Sequence, residues 1–137
     1  MEFVINYWAV IGAAAANMVV GMLWYGPVFG KVWRNLMGFT PESMKAMPLT
    51  PLQATFGGVI TALLMSYVLA YVAIAFDGTT LSDALMMAFF MWLGFIAPVM
   101  AHTFLWEGRS FKLFAFNAAA GLVSMVAMSL VLVLWPW

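Results

Sequence analysis

The sequence predicts an all-α fold: an integral membrane four-helix bundle with a short interfacial amphipathic helix between spans one and two. Three observations lead there. No charge occurs between Glu2 and Lys31, between Lys45 and Asp77, between Asp83 and Glu107, or after Lys112, and each gap exceeds the roughly 20 helical residues that cross a hydrocarbon core. Hydrophobic residues make up 66% and charged residues 7% of the 137-residue chain, too little polar surface to coat a soluble globule. The apolar runs also lack the in-out alternation of a barrel, leaving helix as the spanning structure that satisfies its own backbone. The expectation is one transmembrane domain over residues 1–137, with no room for a soluble one.

Composition excludes several function classes. A formal net charge of zero leaves no concentrated basic face for nucleic acid. The absence of cysteine removes disulfides, iron–sulfur clusters, thiolate metal sites and thiol catalysis. Ala13 and Ala15 give an A-x-A pattern like a signal-cleavage site. However, no Lys or Arg precedes it and the apolar run continues to Pro27, so span one is expected to stay uncleaved.

All five basic residues fall in two connecting segments, Lys31, Arg34 and Lys45 between spans one and two, Arg109 and Lys112 between spans three and four. The acidic residues Glu2, Asp77 and Asp83 mark the opposite side. The positive-inside rule then puts both termini on the non-cytoplasmic side. The same five cations are candidate contacts for anionic lipid headgroups.

Span one is expected over about residues 3–27, with Tyr7 and Trp8 near its outer end and Trp24 and Tyr25 near its inner end, where amphipathic rings favour the headgroup layer. In the segment 30–47, Val32, Trp33, Leu36 and Met37 fall at helical spacing beside Lys31 and Arg34, the pattern of a helix lying in the membrane surface. Gly38 is expected to end it, and Thr40-Pro41-Glu42 reads as a cap followed by a first-turn proline. Span two, 51–76, opens on the capping-box order Thr50-Pro51-Leu52-Gln53. Asp77-Gly78-Thr79 reads as a tight turn, and Thr80 to Asp83 caps span three, 81–106. Pro98 removes a backbone donor inside that span and frees the Gly94 carbonyl, predicting a kink. Span four covers 111–135, and Trp135-Pro136-Trp137 reads as an interfacial anchor.

Trp24-Tyr25-Gly26-Pro27, then Phe29-Gly30-Lys31 with Trp33, and Glu107-Gly108-Arg109 leading into Leu113-Phe114 and Asn117 resemble the small bacterial four-helix membrane proteins grouped as domain of unknown function 1761. The resemblance spans nearly the whole chain and implies a multi-pass protein of the bacterial inner membrane. Trp106 departs from the pattern, where a phenylalanine is expected before Glu-Gly-Arg. The family carries no assigned activity, so the resemblance implies no catalytic residue.

In lipid, helices associate through close packing and polar contacts, so small and amide residues mark interfaces. Span one carries Ala9, Gly12, Ala13, Ala16, Asn17, Val20 and Gly21 as a stripe, and span four carries Asn117, Ala120, Gly121 and Ser124. Running antiparallel, the two put Asn17 level with Gly121 and Gly21 level with Asn117. Each amide is expected over the other helix's glycine, bonding its exposed backbone. The alternative is that each amide bonds the nearest carbonyl, for about 0.6 kcal/mol apiece.

His102 is the single histidine, and an ionisable group inside a span is a functional candidate by default. Tyr25, Gln53, Glu107, Arg109 and Asn117 should share its depth, giving a candidate inner-leaflet polar cluster. A histidine so near the interface can equally bond a carbonyl or water and stay neutral. Glu107 is expected to pair with Arg109, Lys112 or Arg34 as a structural clamp rather than as a catalytic group.

The 13 methionines, with Met18 and Met22 or Met125 and Met128 at helical spacing, suit Cu(I) in principle. No second histidine or cysteine supports a site, and methionine is also an ordinary flexible filler. Haem held by two histidines is impossible within one chain, although a symmetric dimer would supply His102 twice. No cofactor or metal is expected.

No nucleophile–base set, carboxylate-rich cluster or glycine-rich phosphate loop is present, so an enzyme is not expected. A coupled exporter needs an acidic residue deep in a span, and Glu42, Asp77, Asp83 and Glu107 all sit at ends or in loops. The expectation is therefore a non-catalytic accessory or scaffolding subunit binding other transmembrane helices, lipids or pigments. The alternative is a homo-oligomeric small-solute transporter or channel built on the cluster around His102. The expected partners are the bilayer, other membrane subunits or further copies of the chain, and not nucleic acid.

Overall fold

The computed structural model describes residues 3–136; the expectations placed on Glu2 and Trp137 lie outside the described residues. Four segments are long and apolar enough to cross a membrane: Tyr7–Val28, Pro51–Phe76, Leu81–Leu105 and Phe111–Leu134. Together they form the expected all-α bundle.

Each span starts where a side chain caps the orphan backbone donors of its first turn. Helix α1 (Tyr7–Leu23) begins four residues later than expected because Asn6 Oδ1 accepts from the backbone N–H groups of Trp8 and Ala9. A π turn over Trp24–Val28 continues it. Pro27 has no N–H to give the Leu23 carbonyl, so the turn widens, and the Phe29 N–H reaches back to the Trp24 carbonyl at 3.1 Å. Gly26 takes the non-helical angles φ −111°, ψ −111° that this widening requires.

The amphipathic segment is two short helices, α2 (Gly30–Met37) and α3 (Pro41–Lys45), as Gly38 and the Thr40-Pro41 cap predict. Gly38 adopts φ 71°, and the Phe39 N–H bonds the Arg34 carbonyl at 2.9 Å, a left-handed stop for α2. Thr40 and Ser43 then cap α3 reciprocally.

Helix α4 (Pro51–Phe76) opens on the Thr50–Gln53 capping box, with bonds of 3.0 and 3.2 Å. It stops at Asp77, which has φ 55°. Asp83 accepts from the backbone of Thr79 and Thr80 at 2.9 and 3.0 Å, which closes the turn onto α5 (Leu81–Met91).

The third span then changes pitch. A π turn over Trp92–Ile96 precedes α6 (Ala97–Met100) and α7 (His102–Leu105). The kink expected at Pro98 therefore takes the form of a π turn just before the proline, which accommodates the Gly94 carbonyl that Pro98 leaves without a donor. Ser110 caps α8 (Phe111–Leu134), and Trp135 leaves it in the extended conformation favoured before a proline, here Pro136.

Spans one and four form the centre of the bundle, with span two packed mainly on span one and span three on span four. The buried core mixes alanines, Ala9, Ala13, Ala62, Ala70, Ala84 and Ala88 among them, with Leu69, Met87, Met128 and Leu132. That composition allows close backbone approach where hydrophobic burial supplies no drive between helices.

Candidate functional site: a lateral groove along span four

Spans two and three touch each other sparsely, chiefly through α5. Past Met91 span three parts from spans one and two, and the gap exposes one face of α8. Three adjoining cavities occupy it. The first, about 300 Å³, is lined by Tyr25, Trp33, Met100, Thr103, Phe114 and Asn117. The second, about 380 Å³, shares Tyr25, Met100 and Asn117 with the first and runs past Asn17, Gly21 and Ser124 to Met65 and Phe95. The third, about 430 Å³, shares Met65, Phe95 and Ile96 with the second and is otherwise lined by Leu, Val and Met side chains. The groove is thus polar near the basic connecting segments and apolar at its far end. Its rim residues Phe95 and Val99 are 70% and 65% exposed, so it opens sideways.

The polar floor is a zipper between two antiparallel faces. Asn17, Gly21 and Tyr25 recur every four residues on span one; Asn117, Gly121 and Ser124 follow at i, i+4 and i+7 on span four. The Tyr25 hydroxyl donates to Asn117 Oδ1 at 2.7 Å, and the Ser124 hydroxyl donates to Asn17 Oδ1. The two pairs are separated along α8 by seven residues, roughly 10 Å. Between them a Cβ added to Gly21 would meet nothing within 4 Å, so the glycine keeps the groove open at its middle.

Both π turns serve this site. The first presents Tyr25, while the second presents Phe95 and Ile96 to the groove and Trp92 to span four, where its indole N–H donates to the Ala118 carbonyl at 2.7 Å. π turns gather at functional sites because they re-aim side chains without ending a helix. An aromatic cluster steadies the polar end: the Tyr25 ring lies 5.4 Å from Trp33 and 5.7 Å from Phe116, both edge-on.

Of the polar cluster expected around His102, the structure brings together only Tyr25 and Asn117. Gln53 is exposed and spends its side chain on the α4 cap. His102, Glu107 and Arg109 are all exposed. The Arg109 N–H closes the turn onto the Thr103 carbonyl at 3.0 Å, with Gly108 at φ 70°. The ion pair expected of Glu107 does not form among the described residues. Equal depth did not mean a shared face.

The expected amide-over-glycine packing is also corrected. Asn17 and Asn117 do join spans one and four, but each takes a hydroxyl three or four residues beyond the glycine. A side-chain donor that needs no backbone distortion outcompetes a helical N–H already bonded within its own helix. Gly121 instead faces span three, where an added Cβ would lie 3.1 Å from Ile96 Cγ2, and Gly12 receives Trp135 at 3.1 Å. Ala16 is half-buried. Lys31, Lys45, Arg109 and Lys112 are exposed, whereas Arg34 is half-buried beside Gly30.

Sequence reasoning missed Trp92, Thr103, Phe95 and Ile96. Trp92 carried a usable signal: a tryptophan far from either interface needs a hydrogen-bond partner for its N–H inside the span. Chemically, the groove offers hydroxyl and amide groups but no charged side chain and no nucleophile–base pair. It can bind and orient a guest.

A family model described as "Protein of unknown function (DUF1761)" matches residues 8–133. No curated protein and no solved structure matches the chain.

Proposed function

We propose, from the premise that the chain belongs to the DUF1761 family, which carries no assigned activity, that it is a non-catalytic accessory protein of the membrane that holds an apolar guest in the groove between span three and spans one and two. The groove carries this reading. A bundle whose neighbouring spans part on one side leaves apolar side chains and hydrogen-bonding groups available to a ligand, a lipid or a partner's helix. Its lining holds no set of groups that could perform acid–base or nucleophilic chemistry. The placement of all five cations in two connecting segments supports an orientation with both termini on the non-cytoplasmic side, and the family resemblance suggests the bacterial inner membrane as the location. The alternative, a small-solute transporter built around His102, draws no support from an exposed histidine outside the groove.

Native-detergent purification with mass spectrometry, comparing wild type with Gly21→Leu, tests the reading. Wild type should retain a membrane subunit or lipid that the groove-filling variant loses. A bare chain in both preparations would contradict it, and a homo-oligomer that moves solutes in liposomes would favour the transporter.

A further inference from the structure

We infer that the guest is a neutral amphiphile whose head carries a hydrogen-bond acceptor such as a ketone, quinone or ester carbonyl. The inference rests on the groove reading above and adds what the groove recognises. Three observations carry it. First, the polarity is graded: hydroxyls and amides lie at one end and Met65, Phe95, Ile96 and Met125 at the other, as a polar head followed by a hydrocarbon chain requires. Second, no charged side chain lines any of the three cavities. An ionised head would therefore enter without a counter-charge, at a large desolvation penalty.

Third, four amide N–H donors in the groove are unspent, and an unpaired N–H is harder to leave bare than a carbonyl or hydroxyl oxygen that already accepts or donates one bond. The oxygens of Asn17 and Asn117 are taken by the Ser124 and Tyr25 hydroxyls. The Trp92 and Thr103 donors are spent on the carbonyls of Ala118 and Met100. Each hydroxyl and amide oxygen thus already has one partner, whereas the Nδ2 groups of the two asparagines donate to no protein group among the described residues although both asparagines line the cavity. Each has two N–H donors. A guest bearing an acceptor satisfies them, and a plain hydrocarbon leaves them unpaired.

The test uses the full chain in phospholipid nanodiscs, photolabelled with methyl palmitate carrying a mid-chain diazirine and mapped by mass spectrometry. Adducts should fall on Met65, Phe95 or Ile96. Excess methyl palmitate should suppress them roughly tenfold or more, and hexadecane or hexadecyl phosphate less than about twofold. Asn17→Leu/Asn117→Leu should lower labelling by a similar factor. Because that pair also holds spans one and four together, Gly21→Leu serves as the second variant: it leaves both amides bonded and fills space that is empty to 4 Å around its Cβ.

Equal suppression by all three competitors, or undiminished labelling in both variants, would overturn headgroup recognition while leaving the groove as a guest site. Absence of adducts alongside a co-purifying subunit that cross-links to Met65 would overturn the amphiphile in favour of a helix. Absence of adducts with no co-purifying subunit or lipid would remove the accessory reading as well.

Discussion

The Tyr25 hydroxyl and the Asn117 carboxamide oxygen lie 2.7 Å apart across spans one and four, joining a π turn to the first third of α8. Tyr25 lies within the π turn that holds Pro27. Tyr25→Phe should destabilise the bundle by about 0.6 kcal/mol, with a ceiling of about 1.7, the range of hydrogen bonds between helices in lipid. Reversible unfolding in mixed micelles with a Tyr25→Phe/Asn117→Leu cycle measures it. A coupling indistinguishable from zero would mean that the pair does not tie the spans.

Glycines on the two faces should behave oppositely. Gly21→Ala adds a methyl group to open space and should be neutral or stabilising, by up to about 1 kcal/mol, since alanine is the better helix former. Gly121→Leu drives a side chain into Ile96, 3.1 Å from its Cβ position, and should destabilise by about 1–3 kcal/mol. The same unfolding assay reads both, and similar effects at the two sites would contradict the packing described.

Pro98→Ala should restore the donor to Gly94 and let Trp92–Ile96 rewind as α-helix. The register of Trp92 against α8 then changes, and its indole N–H leaves the Ala118 carbonyl. In a spectrum of ¹⁵N-tryptophan-labelled protein, one indole resonance should shift and lose protection from solvent exchange. An unchanged set of indole resonances would show that the π turn does not depend on the proline.

His102→Leu should leave bundle stability within about 0.5 kcal/mol of wild type, because the side chain is exposed and makes no hydrogen bond among the described residues. Thermal unfolding in detergent suffices as the readout. A larger loss would place His102 in a contact the fold does not contain.

Much of this architecture is readable from residue order alone. Charge-free runs locate the spans, and Thr50-Pro51-Leu52-Gln53 and Thr80 to Asp83 locate two starts. The Asn6 cap was equally available and explains why α1 begins at Tyr7. The site was only half legible. Depth along a helix follows from counting residues, so Asn17, Tyr25, Asn117 and Ser124 could be placed within about one turn of their partners. Rotation about the helix axis does not follow from counting. His102 and Gln53 share a depth with Tyr25 but not its face. The π turn before Pro98 further rotates everything upstream of it relative to a regular helix, which is why Trp92, Phe95 and Ile96 escaped notice.

The groove, its polarity gradient and the placement of the cations all require that the chain cross the membrane four times, with its basic segments on one side. The chain has no native cysteine, so single substitutions can be labelled without background. Membrane-impermeant maleimide applied to oriented vesicles should modify Asn35→Cys and Ser110→Cys from one side and Asp77→Cys from the other. Labelling of Asn35→Cys and Ser110→Cys from opposite sides would contradict the account.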